Sequence, residues 1–173
     1  MALILENSQQ KLTYEDIIDF NRLFNEKIPS SFLDFFHEFN GGDFPKVNDH
    51  NCEYLSGFYS IKYGHSTITR IYNELLIENP ELQFMIPFAY DHNLNSYLIS
   101  LKEDDYGTIY LWSNEDQGIA HVSNSFDDFI QSFDQFIDAV EIKKVSNYIK
   151  NRLVKTFIIV GAIFIVWYLF SKS

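Results

Sequence analysis

The sequence predicts an α+β domain, an antiparallel sheet meander flanked by N- and C-terminal helices, followed by a C-terminal transmembrane helix. Three observations carry this expectation. Apolar residues recur at helical spacing near both ends of the body. Between them, aromatic and β-branched runs of six or seven residues are joined by short polar loops. Near its end the chain carries an uncharged apolar run, TFIIVGAIFIVWYLF, from Thr156 to Phe170.

The first helix is expected over Tyr14 to Glu26, where Tyr14, Ile17, Ile18, Phe20, Leu23 and Phe24 share a face, with Thr13 as N-cap and Asp16 three residues on. The segment IPSSFLDFFHEFNGG (Ile28 to Gly42) supplies a second, with Pro29 at its start and Asn40-Gly41-Gly42 as a stop where left-handed backbone is cheap. Glu53 to Lys62 has the content of a strand, and Thr67 to Ile77 returns to helical spacing. Strands follow at Phe84 to Tyr90, Ser96 to Leu101 and Gly107 to Trp112, with DHNLN (Asp91 to Asn95) and KEDDY (Lys102 to Tyr106) as hairpin loops. Ile119 to Val122 can add another strand, and Ser125 caps a helix carrying Phe126, Phe129, Ile130, Phe133, Phe136, Ile137 and Val140.

Charge divides the 173 residues sharply. All 24 acids lie at or before Glu141, together with seven of the 13 Lys and Arg, so residues 1–141 carry 7 minus 24, a net −17, and the remainder +6. A body this acidic would repel phosphates, which argues against nucleic-acid binding. Its size suits one globular domain, and 17 Phe, 11 Tyr and 2 Trp supply ample core material. The single cysteine, Cys52, has no disulfide partner within the chain. The N-terminal MALILENSQQK lacks the basic and extended apolar regions of a cleaved signal, so secretion by that route is not expected.

Four segments, in order, resemble the SUKH superfamily, which includes bacterial immunity proteins and fungal cell-wall-synthesis regulators: IPSSFLDFFHEFNGG at 28–42, IPFAYDHNLNSYLISL at 86–101, GTIYLW at 107–112 and VSNSFDDFI at 122–130. The resemblance covers residues from about 13 to 139. Leu94 stands where the family usually has glycine in the hairpin turn, which leaves that turn's geometry open, while Asn95 is kept. The resemblance implies the fold and a protein-binding role; its motifs transfer no catalytic residue.

Asp91, Asn93 and Asn95 match the first alternate ligands of a calcium loop, but Ser96 replaces the turn glycine and Lys102 the closing glutamate, so a polar turn is expected. His50, Cys52 and Glu53 have ligand-type side chains without a distant second pair, which favours a surface loop over a zinc site. His37, His65, His92 and His121 are scattered, no serine or cysteine sits in a nucleophile elbow, and the Gly41-Gly42 pair follows a helix rather than opening one. No catalytic residue, metal, cofactor or small-molecule substrate is therefore expected. The acidic clusters Glu103-Asp104-Asp105, Glu115-Asp116 and Asp127-Asp128 have two readings, solubility with helix-dipole compensation, or a negative face that steers a basic partner.

In the tail, Ile142, Val145, Ile149 and Leu153 form an apolar stripe opposed by Lys143, Lys144, Lys150 and Arg152, as on a helix lying at an anionic lipid surface. The following run spans roughly 22 Å as a helix, and roughly 27 Å with Leu153, Val154 and a snorkelling Lys155, against about 30 Å of hydrocarbon. A buried core helix is the competing reading. Against it, the run has no polar face: Phe157, Ile158, Ile159, Val160, Ile163, Phe164, Ile165, Val166, Trp167 and Leu169 would all face lipid, with Trp167 and Tyr168 toward one interface. Five bases precede the run and only Lys172 follows, which keeps the acidic body cytoplasmic.

The expected organisation is a SUKH-like domain (1–141), a basic amphipathic juxtamembrane helix (142–155) and a single transmembrane tail (156–170). The expected function is that of a tail-anchored immunity protein, not an enzyme, that binds and neutralises a basic toxin domain stoichiometrically, Glu103, Asp104, Asp105, Glu115 and Asp116 forming the partner surface. The alternative is a membrane-tethered adaptor or regulatory scaffold of the cell envelope.

Overall fold

The computed structural model describes residues 5–45 and 55–132. The apolar tail, the basic stripe before it and the His50, Cys52, Glu53 set lie outside the described residues, and among those described no helix is long and apolar enough to cross a membrane.

Local signals set the element ends. Helix α1 (Tyr14–Leu23) starts on a capping box in which the Asp16 N–H donates to Thr13 Oγ1 (3.2 Å) and the Thr13 N–H donates to Asp16 Oδ2 (2.8 Å). It stops three residues short of the expected Glu26, because Asn25 and Glu26 take left-handed backbone and the Glu26 N–H turns back to the Asn21 carbonyl. Helix α2 (Ser30–Glu38) begins after Pro29 and buries Phe32 and Phe36. Helix α3 (Ile68–Glu78) is capped by Thr67 and followed by a 3₁₀ turn, Pro80–Leu82. A last helix, α4, is described over 126–132, with Ser125 Oγ accepting from the Asp128 N–H (3.1 Å).

The sheet is antiparallel throughout, in the order β1 (Gly42–Asp43), β2 (Gly57–Phe58), β3 (Met85–Tyr90), β4 (Ser96–Ser100), β5 (Ile109–Ser113), β6 (Gly118–Ser123). Strand order follows chain order, so β3 to β6 form the expected meander. The strand expected over Glu53 to Lys62 is described from residue 55 and pairs regularly only at Gly57 and Phe58. Beyond them, the backbone of Ser60, Ile61 and Lys62 is bonded to Ser66, Ile68 and Asn40 instead of a strand. β1 sits where only a helix stop was expected.

Every residue of β4 is buried, so both sheet faces are covered there. Paired residues share a face, which places Leu98 with Tyr110, and Ser96 with Trp112. On that side Leu82, Met85, Leu98 and Trp112 pack with Leu75 and Leu76 of α3. The other side is aromatic. β3 shifts register between Pro87 and Ala89, and Phe88, the residue in the shift, meets Phe32 (ring centroids 5.8 Å), Phe126 (5.5 Å) and Phe129 (5.2 Å), so α2 and α4 are held on one ring. Burial of each such ring contributes about 2–3 kcal/mol, with roughly 1 kcal/mol more for each well-placed edge-to-face pair.

Candidate functional site

The residues of the recurring motifs are used by the fold. Asn40 is buried, and its carboxamide is fully bonded: Nδ2 donates to the carbonyls of Gln10 (2.8 Å) and Lys62 (2.7 Å), and Oδ1 accepts from the N–H of Ile61 (2.9 Å) and Lys62 (3.4 Å). Gly41, at φ +72°, follows because a Cβ there would stand 2.9 Å from the Ser60 nitrogen. Gly42, at φ +127°, lets the N-terminal arm lie flat, since its Cβ would reach Ser8 Oγ at 2.6 Å and the Glu6 carbonyl at 2.9 Å. The arm then pairs with β1 through reciprocal Glu6–Asp43 backbone bonds of 2.8 Å each. Asp43 also accepts from Asn7 Nδ2 (2.9 Å) and from the Tyr90 hydroxyl, and burial, followed by that bond to a carboxylate, pushes the Tyr90 phenol pKa up.

The DHNLN segment is a turn held by its own acid. Asp91 Oδ1 accepts from the N–H groups of Asn93 (2.8 Å) and Asn95 (2.9 Å), and Oδ2 from Asn95 Nδ2 (2.9 Å). Leu94 occupies the left-handed region (φ 62°) that glycine favours, so the turn's shape survives the missing glycine. Asn95 Oδ1 accepts from the Asn114 N–H (3.1 Å), and Asn114 Nδ2 donates to the Leu94 carbonyl, tying this turn to the one between β5 and β6. Among the described residues, no group of three or more His, Cys, Asp or Glu is placed to hold a metal.

The acids expected to form the partner surface are not together. Glu103, Asp104 and Asp105 lie in the β4–β5 connection and Glu115 and Asp116 in the β5–β6 turn, at opposite ends of β5. Asp127 and Asp128 begin α4 just beyond β6, whose last residue pairs with Ile109 at the first group's end. Glu103, Asp104, Glu115, Asp116, Asp127 and Asp128 are exposed. Asp105 differs: one carboxylate oxygen accepts from Ser100 Oγ and the other from the Tyr110 hydroxyl (2.8 Å), so it pins its own hairpin. That hydrogen bond to Asp105, with a smaller contribution from burial, raises the Tyr110 pKa.

Between these ends runs a feature that charge counting missed. β6 is exposed from Ile119 to Val122, at 47% and 41% for those two residues, and half-buried at its ends. Its sequence, GIAHVS, carries no charged residue. Ile119 pairs with Trp112, Ala120 with Leu111 and His121 with Tyr110. Alternation and a missing charge in IAHV were the signals available for finding an edge.

The model of the SMI1 / KNR4 family (SUKH-1) matches residues 11–132, a range that takes in all four motif segments and every described element from α1 onward. No curated protein matches the chain.

Proposed function

The chain belongs to the SMI1 / KNR4 family (SUKH-1), and from that premise we propose that it is a membrane-anchored immunity protein that neutralises a toxin by binding it one to one. The observation that carries the reading is how the family's motifs are spent: Asn40, Gly41, Asp91 and Phe88 hold backbone and core together, which leaves recognition to the surface. The exposed acids there favour a basic protein partner. No chemical step by this chain is needed for a stoichiometric block.

Anchoring is proposed from the sequence of the tail, with the acidic body in the cytoplasm and a single span. Replacing Ile163 and Ile165 together with Lys should release the protein from membranes, since each central charge costs about 3 kcal/mol on insertion scales. Wild-type protein that already washes off in carbonate would exclude a span.

The functional test is co-expression of the full-length chain with a toxin domain encoded beside it. Growth should be restored, and a 1:1 complex should come out of detergent-solubilised membranes. Persistent killing by a toxin that forms no complex overturns the reading. A deletion that weakens the envelope in cells lacking any such toxin would instead support the adaptor role.

A further inference from the structure

An exposed strand at the edge of a sheet offers a row of backbone donors and acceptors, and proteins ordinarily blunt such edges with charge, proline, shortness or cover. β6 has little of this. It holds neither Lys, Glu, Asp, Arg nor Pro, and among the described residues no hydrogen bond runs from its backbone to any element other than β5. Its one irregularity is the register shift opposite Ile109 and Tyr110, which leaves Val122 as the extra residue; the four pairs from Gly118 to His121 are regular.

Charge surrounds this neutral edge on both sides. Glu115 and Asp116 stand in the turn just before Gly118, Asp127 and Asp128 on the first turn of α4 just after it, and all four are exposed. No Lys or Arg occurs between Lys102 and Lys143. At about 3.4 Å per residue, the six residues of β6 separate the two acidic groups by roughly 20 Å.

We propose that the β6 edge receives an extended segment of a partner protein by strand addition, a segment uncharged in its middle and carrying Lys or Arg at both ends. The partner's main chain would extend the sheet beyond β6, alternate side chains would meet Ile119 and His121 on one face and Ala120 on the other, and the terminal cations would meet the four acids. A second copy of this chain is a poor occupant, because antiparallel pairing of two β6 strands would set Glu115 and Asp116 of one copy against Asp127 and Asp128 of the other. This deepens the proposed function and rests on it for the existence of a protein partner.

The test uses the full-length protein in detergent micelles and a fluorescent nonapeptide probe, two lysines, a five-residue Val-Thr alternation and two lysines. Amide exchange over 118–123 should slow at least tenfold at saturating peptide, and binding should weaken at least tenfold from 50 to 300 mM salt. Ile119 pairs with Trp112 at a position whose backbone faces away from β5, so Ile119→Pro removes an outward N–H and should lose binding at least tenfold. Should that variant misfold by circular dichroism, Val122→Lys serves, with the same loss expected from repulsion of the probe. Substituting Glu115→Gln, Asp116→Asn, Asp127→Asn and Asp128→Asn together should flatten the salt dependence. Protection that falls elsewhere, or Ile119→Pro and Val122→Lys proteins that are folded and bind normally, overturns the proposal. So does concentration-dependent protection of 118–123 without peptide in a protein of dimeric mass, which assigns the edge to a second copy. A toxin complex that protects other residues sinks this edge while leaving the immunity reading standing; peptide capture at β6 with no toxin complex does the reverse.

Discussion

At one margin of the sheet, β1 is two residues long and its outer side is taken up by the chain's own arm, Glu6 exchanging both backbone bonds with Asp43 while Asn40 holds Gln10 from beneath. At the other margin, β6 is six residues long, uncharged and exposed, with acids at both ends. At the first margin Asp43 spends its outward N–H and carbonyl on the arm; at the second, among the described residues, the backbone of β6 bonds to β5 alone. The difference separates what the fold needs from what it can present: residues at the β1 margin are tied to stability, while those around β6 can change at small cost to it.

The largest effect that would break this contrast is at Asn40. Asn40→Ala leaves Ile61, Lys62 and Gln10 backbone groups without their partner and should cost about 3 kcal/mol. Urea unfolding should show the loss, and amide exchange should open first at residues 61–62 and in the arm. A stability equal to wild type would mean that the β1 margin is not held by this side chain.

Next comes a comparison within the acidic loop at the far end of β5. Asp105→Asn weakens its bonds to Ser100 and Tyr110 and should cost about 1 kcal/mol, whereas Asp104→Asn, at an exposed position, should stay within about 0.5 kcal/mol. Equal losses in thermal melts would remove the distinction between a structural and a free acid.

A gain is expected at the turn that meets the start of β6. Leu94 is 66% exposed in left-handed backbone, so Leu94→Gly relieves strain while losing little packing and should stabilise by about 0.5–1 kcal/mol. A loss would mean that the Leu94 side chain packs more than its exposure indicates.

The smallest effect is electrostatic and belongs to the closed side. The Lys62 ammonium, with help from Thr13, holds the Asp16 carboxyl down at about 2 from an ordinary 3.8. Because the folded pKa is depressed, the stabilisation is fully present above about pH 4 and is lost as pH falls through about 2. Lys62→Met should flatten the acid limb of stability in that window, measured by urea midpoints between pH 5 and 2. An unchanged limb would return the pair to the status of an ordinary exposed contact.

Much of the fold was legible because it is written in local chemistry: the Thr13–Asp16 box, the Asn40-Gly41-Gly42 stop, the polar turns and the Ser125 cap all stand where the residues indicated. The sheet's first margin was not legible, since Asn40 works through carbonyls and amides 30 and 22 residues away, and no spacing rule links such positions. The scattering of the acids could have been read. Successive loops of a meander alternate between the two ends of the sheet, so KEDDY and the turn after Trp112 could not share an end. The exposure of β6 was only partly legible: IAHV lacks charge, but which side of a strand is paired depends on the rest of the sheet.

The Asn40 side chain binds only main-chain atoms of its three partners, Gln10, Ile61 and Lys62. A junction that reads backbone alone is blind to the side chains it fastens. Mutational drift at the exposed positions 10 and 62 can therefore recolour that side of the molecule without retooling the joint, and the asparagine becomes the fixed point around which neighbouring surfaces diversify.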